Sequence, residues 1–231
     1  MKTYLADEAV LAQTTHMHSK TLTKKPQRQA SPPRVDIWQR LKEIDMFFGG
    51  RSKVHQSMRR LIRRLDKAGI PYALMGGLAV NVHGAERTTK DVDVLLTGEG
   101  LAAFQREFVG RDYDPVAGRP RRFLDRENGV TIDVLVTGRY PGSGAKGPFA
   151  FPDPAVASEE IRKLRVLTLP QLIQLKLAAG RHYDFGDVVY LIRVHQLDES
   201  FLKQIHPAVH GDFVECLEEK RREEEYEARE S

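Results

Sequence analysis

The sequence predicts an α+β fold: a small mixed β-sheet flanked by helices and followed by a helical C-terminal part. Three observations carry this. "DVDVLLTG" and "VTIDVLV" alternate apolar residues with others, the pattern of half-buried strands. "SKVHQSMRRLIRRLDKA" places Val54, Met58, Leu61, Ile62 and Leu65 on one helical face. From "LPQLIQLKLAAG" through "DFGDVVYLIRVHQ" and "ESFLKQI" to the charged end, the pattern stays helical.

In chain order, residues 1–34 are polar, contain Pro26, Pro32 and Pro33, and lack apolar periodicity, which predicts a flexible tail. Residues 35–155 form the expected core and 156–231 a helical segment packed on it. Ile37, Leu41 and Ile44 fall at helical spacing before a Gly49–Gly50 stop. Ser52 can cap the arginine-rich helix, which Gly69 ends. "PYALM" is a short strand, and "LAVNVHG" after Gly76–Gly77 is long enough for about two helical turns. "GLAAFQREFVG" is an amphipathic helix. "RRFLD", a Glu-Asn-Gly turn and "VTIDVLV" form a hairpin, followed by a Gly- and Pro-rich loop over 138–154.

Composition narrows the function classes. With 231 residues, 41% of them apolar, the chain can bury a real core. No apolar run approaches the roughly 18–20 residues that span a bilayer, so no membrane partner is expected. The first residues lack an apolar signal core and include Asp7 and Glu8, which predicts a cytoplasmic location. Cys216 is the only cysteine, so no internal disulfide can form. A net charge of +4, with both signs intermixed, is compatible with phosphate-bearing ligands without identifying one.

The chemistry concentrates in "MGGLAVNVHGAERTTKDVDVLL". On a strand, Asp91 and Asp93 point to one face, about 7 Å apart, and Val92 and Val94 to the other. Two such carboxylates repel each other, and a bound hard cation such as Mg²⁺ relieves the repulsion. Asp133, between apolar neighbours in "VTIDVLV", is the candidate third ligand, since an unpaired core aspartate would cost several kcal/mol. The alternative is that all three aspartates sit on a solvated face. The Gly76–Gly77 turn lets the backbone approach a phosphate closely, although a tight turn alone would explain the pair.

Glycine pair, a spacer of thirteen residues (Leu78 to Lys90), Asp-Val-Asp and the later "IDVL" together resemble the nucleotidyltransferase superfamily of DNA polymerase beta-like fold. "YALMGGLAVNVHGAERTTKDVDVLL" and "LTLPQLIQLKLAAGRHYDFGDVVYLIR" look most like small prokaryotic members of AbiEii type and tRNA-modifying toxins. The likeness spans roughly residues 70–194. It implies that residues 35–155 are a nucleotidyltransferase catalytic core. The implied reaction moves a nucleoside monophosphate from an NTP, such as ATP, to an acceptor hydroxyl and releases pyrophosphate. The acceptor implied is an RNA or tRNA end, with a protein or a small molecule such as an aminoglycoside also open. A toxin role would add an antitoxin protein as partner.

Carried over by residue, the resemblance implies that Asp91, Asp93 and Asp133 are catalytic and ligate two Mg²⁺ ions, or Mn²⁺ in their place. It implies that Gly76 and Gly77 hold the triphosphate and that Lys176 contacts phosphate. Arg87 and Lys90 could reach phosphates from the turn before the metal strand, or be ordinary solvated turn residues. Arg181, Asp184 and Asp187 are expected to pin their helix to the sheet by salt bridges. The competing reading is a module of the same fold that binds a nucleotide or a partner without turnover.

Other motifs carry less. "GSGAKG" (Gly142–Gly147) has dinucleotide-fingerprint spacing, but a fingerprint must open a helix and prolines follow instead, so a mobile loop is expected. His206, His210 and Cys216 lack the second ligand pair of a zinc site. His83 is expected to pack or cap rather than to react.

Overall fold

A computed structural model describes residues 37–230, so the tail expected over 1–34 lies outside the described residues. The chain runs α1 (Ile37–Phe48), α2 (Lys53–Lys67), β1 (Tyr72–Met75), α3 (Gly76–Val82), β2 (Asp91–Leu96), α4 (Gly98–Phe108), β3 (Tyr113–Val116), β4 (Arg119–Asp125) and β5 (Thr131–Val136). It continues with α5 (Pro154–Ala157), β6 (Ser158–Ile161), β7 (Leu164–Leu167), α6 (Leu169–Ala179) and α7 (His182–His195). Two short 3-10 turns, Glu199–Gln204 and Pro207–Val209, lead to α8 (His210–Glu230). "ESFLKQI", read as helix, is the first of these turns.

Seven strands make one mixed sheet in the order β3-β4-β5-β2-β1-β7-β6, flanked by helices and followed by α6 to α8. At its centre β2 lies parallel to β5 and antiparallel to β1. Alternation along β2 separates two environments. Val92, Val94 and Leu96 are buried on one face, where Leu96 stands against Gly100 of α4. Asp91 and Asp93 point to the other, where α3 begins. Each buried apolar side chain of this kind contributes about 1.5–3 kcal/mol, so the central ladder is firmly held.

The predicted helix α2 forms as expected: Ser52 Oγ accepts from the His55 amide, and Val54, Met58, Leu61, Ile62 and Leu65 are buried. Arg60 and Arg64 bind Asp125 and Asp112 at 2.6 Å each, and Ser57 donates to Asp125. The helix thereby fastens the open end of the β3–β4 hairpin, where Tyr113 and Asp125 are register partners. In α1 the expected inward face is not inward: Leu41 and Ile44 are exposed, and Phe47, ring to ring with His55, supplies the buried contact.

Two sheet elements were not expected. Residues 158–167, in the segment read as helical, form the β6–β7 hairpin, and β7 pairs in parallel with β1. Its tight turn sets Arg162 and Lys163 at φ 50° and 67°, a conformation normally signalled by Asn-Gly. The edge strand β3 contains Pro115, which weakens any strand signal. None of the described helices is long and apolar enough to cross a membrane.

Candidate active site

Backbone hydrogen bonding indexes the three aspartates. In the parallel β2–β5 ladder Asp93 is the register partner of Asp133, and Asp91 that of Thr131. Register partners share a face, so Asp91, Asp93 and Asp133 stand on the same side of the sheet. In the antiparallel β1–β2 ladder Asp93 pairs with Met75, and the next residue, Gly76, opens α3 at φ +62°.

Gly76 is required there by contact as well as by conformation. A Cβ on it would lie 1.9 Å from Asp93 Oδ2, closer than any side chain can come. A Cβ on Gly77 would lie 2.9 Å from Thr89 Cβ, so this glycine admits the turn that returns the chain to β2. Asn81 Nδ2 donates to the Arg87 carbonyl at 2.8 Å and fixes the same turn. Thr89 Oγ1 then donates to Asp91 Oδ1 at 2.8 Å and orients that carboxylate. At the far end of the helix, His83 Nε2 bonds the Leu167 carbonyl at 2.8 Å and ties α3 to β7. This is the packing role expected of His83. Neither Asn81 nor Thr89 stood out in the sequence.

The carboxylates differ in electrostatics. Burial, followed by the charges of Asp91 and Asp133, pushes Asp93 up to about 7. Asp133 carries its own counter-ion: Arg122 grips it with two hydrogen bonds, Nε to Oδ1 and Nη2 to Oδ2, each 2.6 Å. Arg122 is its register partner across the β4–β5 hairpin. The signal for Arg122 lay in that hairpin, whose turn length fixes which β4 residue faces Asp133.

The donor set suits a hard divalent cation: all oxygen, on one face, with a crowded negative charge that Arg122 offsets most directly at Asp133. It is not a finished cage. Among the described residues no group of three His, Cys, Asp or Glu side chains is set to hold a metal ion, and both oxygens of Asp133 are on Arg122.

The remaining expected phosphate ligands divide. Lys90 is exposed and lines the same cleft. Lys176 is 7% exposed, and its Nζ lies 2.9 Å from Asp184 Oδ1 and 2.6 Å from Asp187 Oδ2. Arg87 pairs with Asp187, and Arg181 Nε with Asp184 Oδ2 at 2.5 Å. This network joins α6, α7 and the β2-preceding turn, rather than pinning α7 to the sheet. Lys176 is the buried cation between the two carboxylates, and the more open Arg87 and Arg181 leave the group with one surplus positive charge. His206, His210 and Cys216 form no metal group, and Cys216 is buried with its thiol pushed up to about 12 by burial and nearby acids.

Gly76, the aspartates, Lys90, Lys176 and Gly142–Gly144 all line one cleft of about 1440 Å³. This exceeds the roughly 300–1,000 Å³ of a typical small-molecule site, so there is room for two reactants. The "GSGAKG" segment is a loop at its wall that opens no helix, as expected.

No family model matches the chain, and no curated protein matches it. Several solved structures share a weak likeness. One is a candidate nucleotidyltransferase from Thermotoga maritima, 17% identical, with a TM-score of 0.40, covering 58% of this chain and 91% of the other. Another is ANT(2″)-Ia in complex with adenylyl-2″-tobramycin, at 14% identity and a TM-score of 0.43, covering 69% and 96%. A third is a nucleotidyltransferase-like antigenic protein from Paracoccidioides brasiliensis, at 16% and 0.36, covering 58% and 72%. Likenesses this weak carry no inference about the reaction.

Proposed function

We propose that the chain is a Mg²⁺-dependent nucleotidyltransferase that moves a nucleoside monophosphate from an NTP to an acceptor hydroxyl. The observation that supports this best is the register pairing of Asp93 with Asp133, with Asp91 on the same face and the Gly76 backbone closed onto Asp93. A solvated row of acids would need no glycine pressed against it. The acceptor oxygen bonds the α-phosphorus as the bond from that phosphorus to the bridging β-oxygen breaks, and pyrophosphate and the hydroxyl proton leave.

In this reading Asp91, Asp93 and Asp133 would hold two Mg²⁺ ions, or Mn²⁺, and Arg122 would have to release Asp133 for its oxygens to serve. When bound, the cation would supply charge neutralisation and a lower pKa for the acceptor hydroxyl. The chain itself needs no nucleophilic side chain, because positioning and charge carry such transfers. Gly76 and Gly77 bring backbone to the triphosphate without side-chain obstruction, and Lys90 adds charge at the rim. Thr89 keeps Asp91 oriented. Lys176 and Arg87 act through the Asp184–Asp187 network, which fixes the α6 wall of the cleft. The location proposed is cytoplasmic. A toxin role opposed by an antitoxin rests on the sequence resemblance alone, and growth arrest on expression of the chain is its test.

The deciding experiment incubates the chain with each α-labelled NTP, Mg²⁺ and total RNA or lysate, beside an Asp91→Ala/Asp93→Ala variant. Label should transfer to an acceptor only with the intact aspartates and Mg²⁺. Transfer that persists in the variant refutes the metal assignment. Mg²⁺-dependent nucleotide binding without transfer to any acceptor would establish the non-catalytic module instead.

A further inference from the structure

At the aspartates the β4–β5 ladder ends, with Arg122 and Asp133 as its last rung. β4 nevertheless runs back to Arg119, and β5 runs on to Val136. The two chains diverge into a trough. One side carries Arg119 and Arg121, and the other carries Arg139 and Tyr140 where the chain leaves β5.

Charge bookkeeping separates these arginines from the rest. Eight Lys or Arg and four Asp side chains line the whole cleft, a surplus of four positive charges. That equals the formal net charge of the entire chain. Arg87, Arg122, Lys176 and Arg181 are ion-paired. Among the described residues Arg119, Arg121, Arg139 and Lys90 have no side-chain hydrogen bond or ion pair. Three guanidinium groups without a side-chain partner border this part of the cleft. Guanidinium forks match phosphate oxygens two at a time, and a tyrosine beside them offers a base a stacking face. A polycationic acceptor would be repelled from such a trough.

We propose that this trough binds the phosphodiester backbone of a single nucleic-acid strand, and that the strand's terminal ribose hydroxyl is the acceptor delivered to the aspartates. The identity of the acceptor rests on the transfer reading above; the binding surface does not. Arg119, Arg121 and Arg139 hold the strand, while the NTP occupies the Gly76–Lys90 end.

The test uses the full chain and labelled single-stranded RNA and DNA oligonucleotides, with anisotropy measured over a salt series without NTP. An Arg119→Ala/Arg121→Ala/Arg139→Ala variant should lose about 2 from the log–log salt slope, since each phosphate contact on a single strand contributes about 0.7. The corresponding triple lysine variant should retain the slope, and Mg²⁺-dependent NTP binding should be unchanged in both. An unchanged slope in the alanine variant overturns the proposal. So does loss of NTP binding in that variant, which would make the trough the triphosphate site. Competition by polyglutamate as effective as by oligonucleotide would assign the surface to an acidic protein instead. If the wild type transfers no nucleotide yet its oligonucleotide binding keeps the three-arginine slope, the transfer reading falls and the strand site stands.

Discussion

Gly76 and Asp93 occupy space that cannot be shared: the smallest side chain at Gly76 would meet the carboxylate at 1.9 Å. Gly76→Ala also forces a residue with a Cβ to φ +62°, at about 1–2 kcal/mol. The carboxylate must shift, and a displacement of about 1 Å at reacting groups costs on the order of 100-fold in rate. A transfer assay should show that loss, with denaturation showing a folded protein. Gly77→Ala avoids the positive-φ cost but meets Thr89 Cβ at 2.9 Å, so Thr89 and its bond to Asp91 must shift and the transfer assay should show a loss here too.

Arg122 serves as the internal counter-ion of Asp133. Arg122→Ala should lower stability without metal by about 1 kcal/mol, a small value because the guanidinium is about one-third open to water. The freed carboxylate adds to the crowding around Asp93. Added Mg²⁺ should therefore raise the melting temperature of the variant more than that of the wild type. Equal Mg²⁺ shifts in the two proteins would show that Arg122 and the cation do not compete for Asp133.

Lys176 lies between two buried carboxylates. Lys176→Met should destabilise by about 3 kcal/mol, since removing one member strands the charge of the others. Adding Asp184→Asn and Asp187→Asn should recover part of that loss. A Lys176→Met variant that keeps its stability but loses NTP affinity would instead place the ammonium on the nucleotide.

His83 gives the fold a sensitivity to acid. Burial holds its pKa below 6.5, and Nε2 is committed to the Leu167 carbonyl. Lowered in the folded state, it contributes stability that is full above 6.5 and lost as pH falls toward the folded value. Urea denaturation well above and well below 6.5 should show this decline. In His83→Leu the same series should be flatter, on a baseline lowered by about 1–3 kcal/mol for the unpaired carbonyl.

The central strands, the glycine turn and the helices α2, α4 and α6 were legible because their signals are local: alternation, a cap, a periodic face. Asp133 was marked as a third ligand by its apolar flanks, but its rung opposite Asp93 was not, since parallel pairing across the intervening residues leaves no local trace. The β6–β7 hairpin stayed hidden because its turn uses Arg162 and Lys163 where glycine or asparagine would have announced it. Arg122 was equally silent. An arginine in "GRPRRF" looks like a surface residue until the hairpin register sets it opposite an aspartate. The exposure of Leu41 and Ile44 likewise depends on which neighbours α1 meets, which periodicity does not encode.

The parallel β2–β5 register makes the site independent of chain distance. Between these strands the chain passes through α4 and the β3–β4 hairpin, which extends the sheet beyond β5, and returns to one fixed rung. The tip of that hairpin can be lengthened or shortened without moving Asp93 relative to Asp133, provided that Arg122 keeps its rung. Because Arg119 and Arg121 lie at and next to that tip, such a change would alter the proposed strand site while Asp93 and Asp133 kept their register.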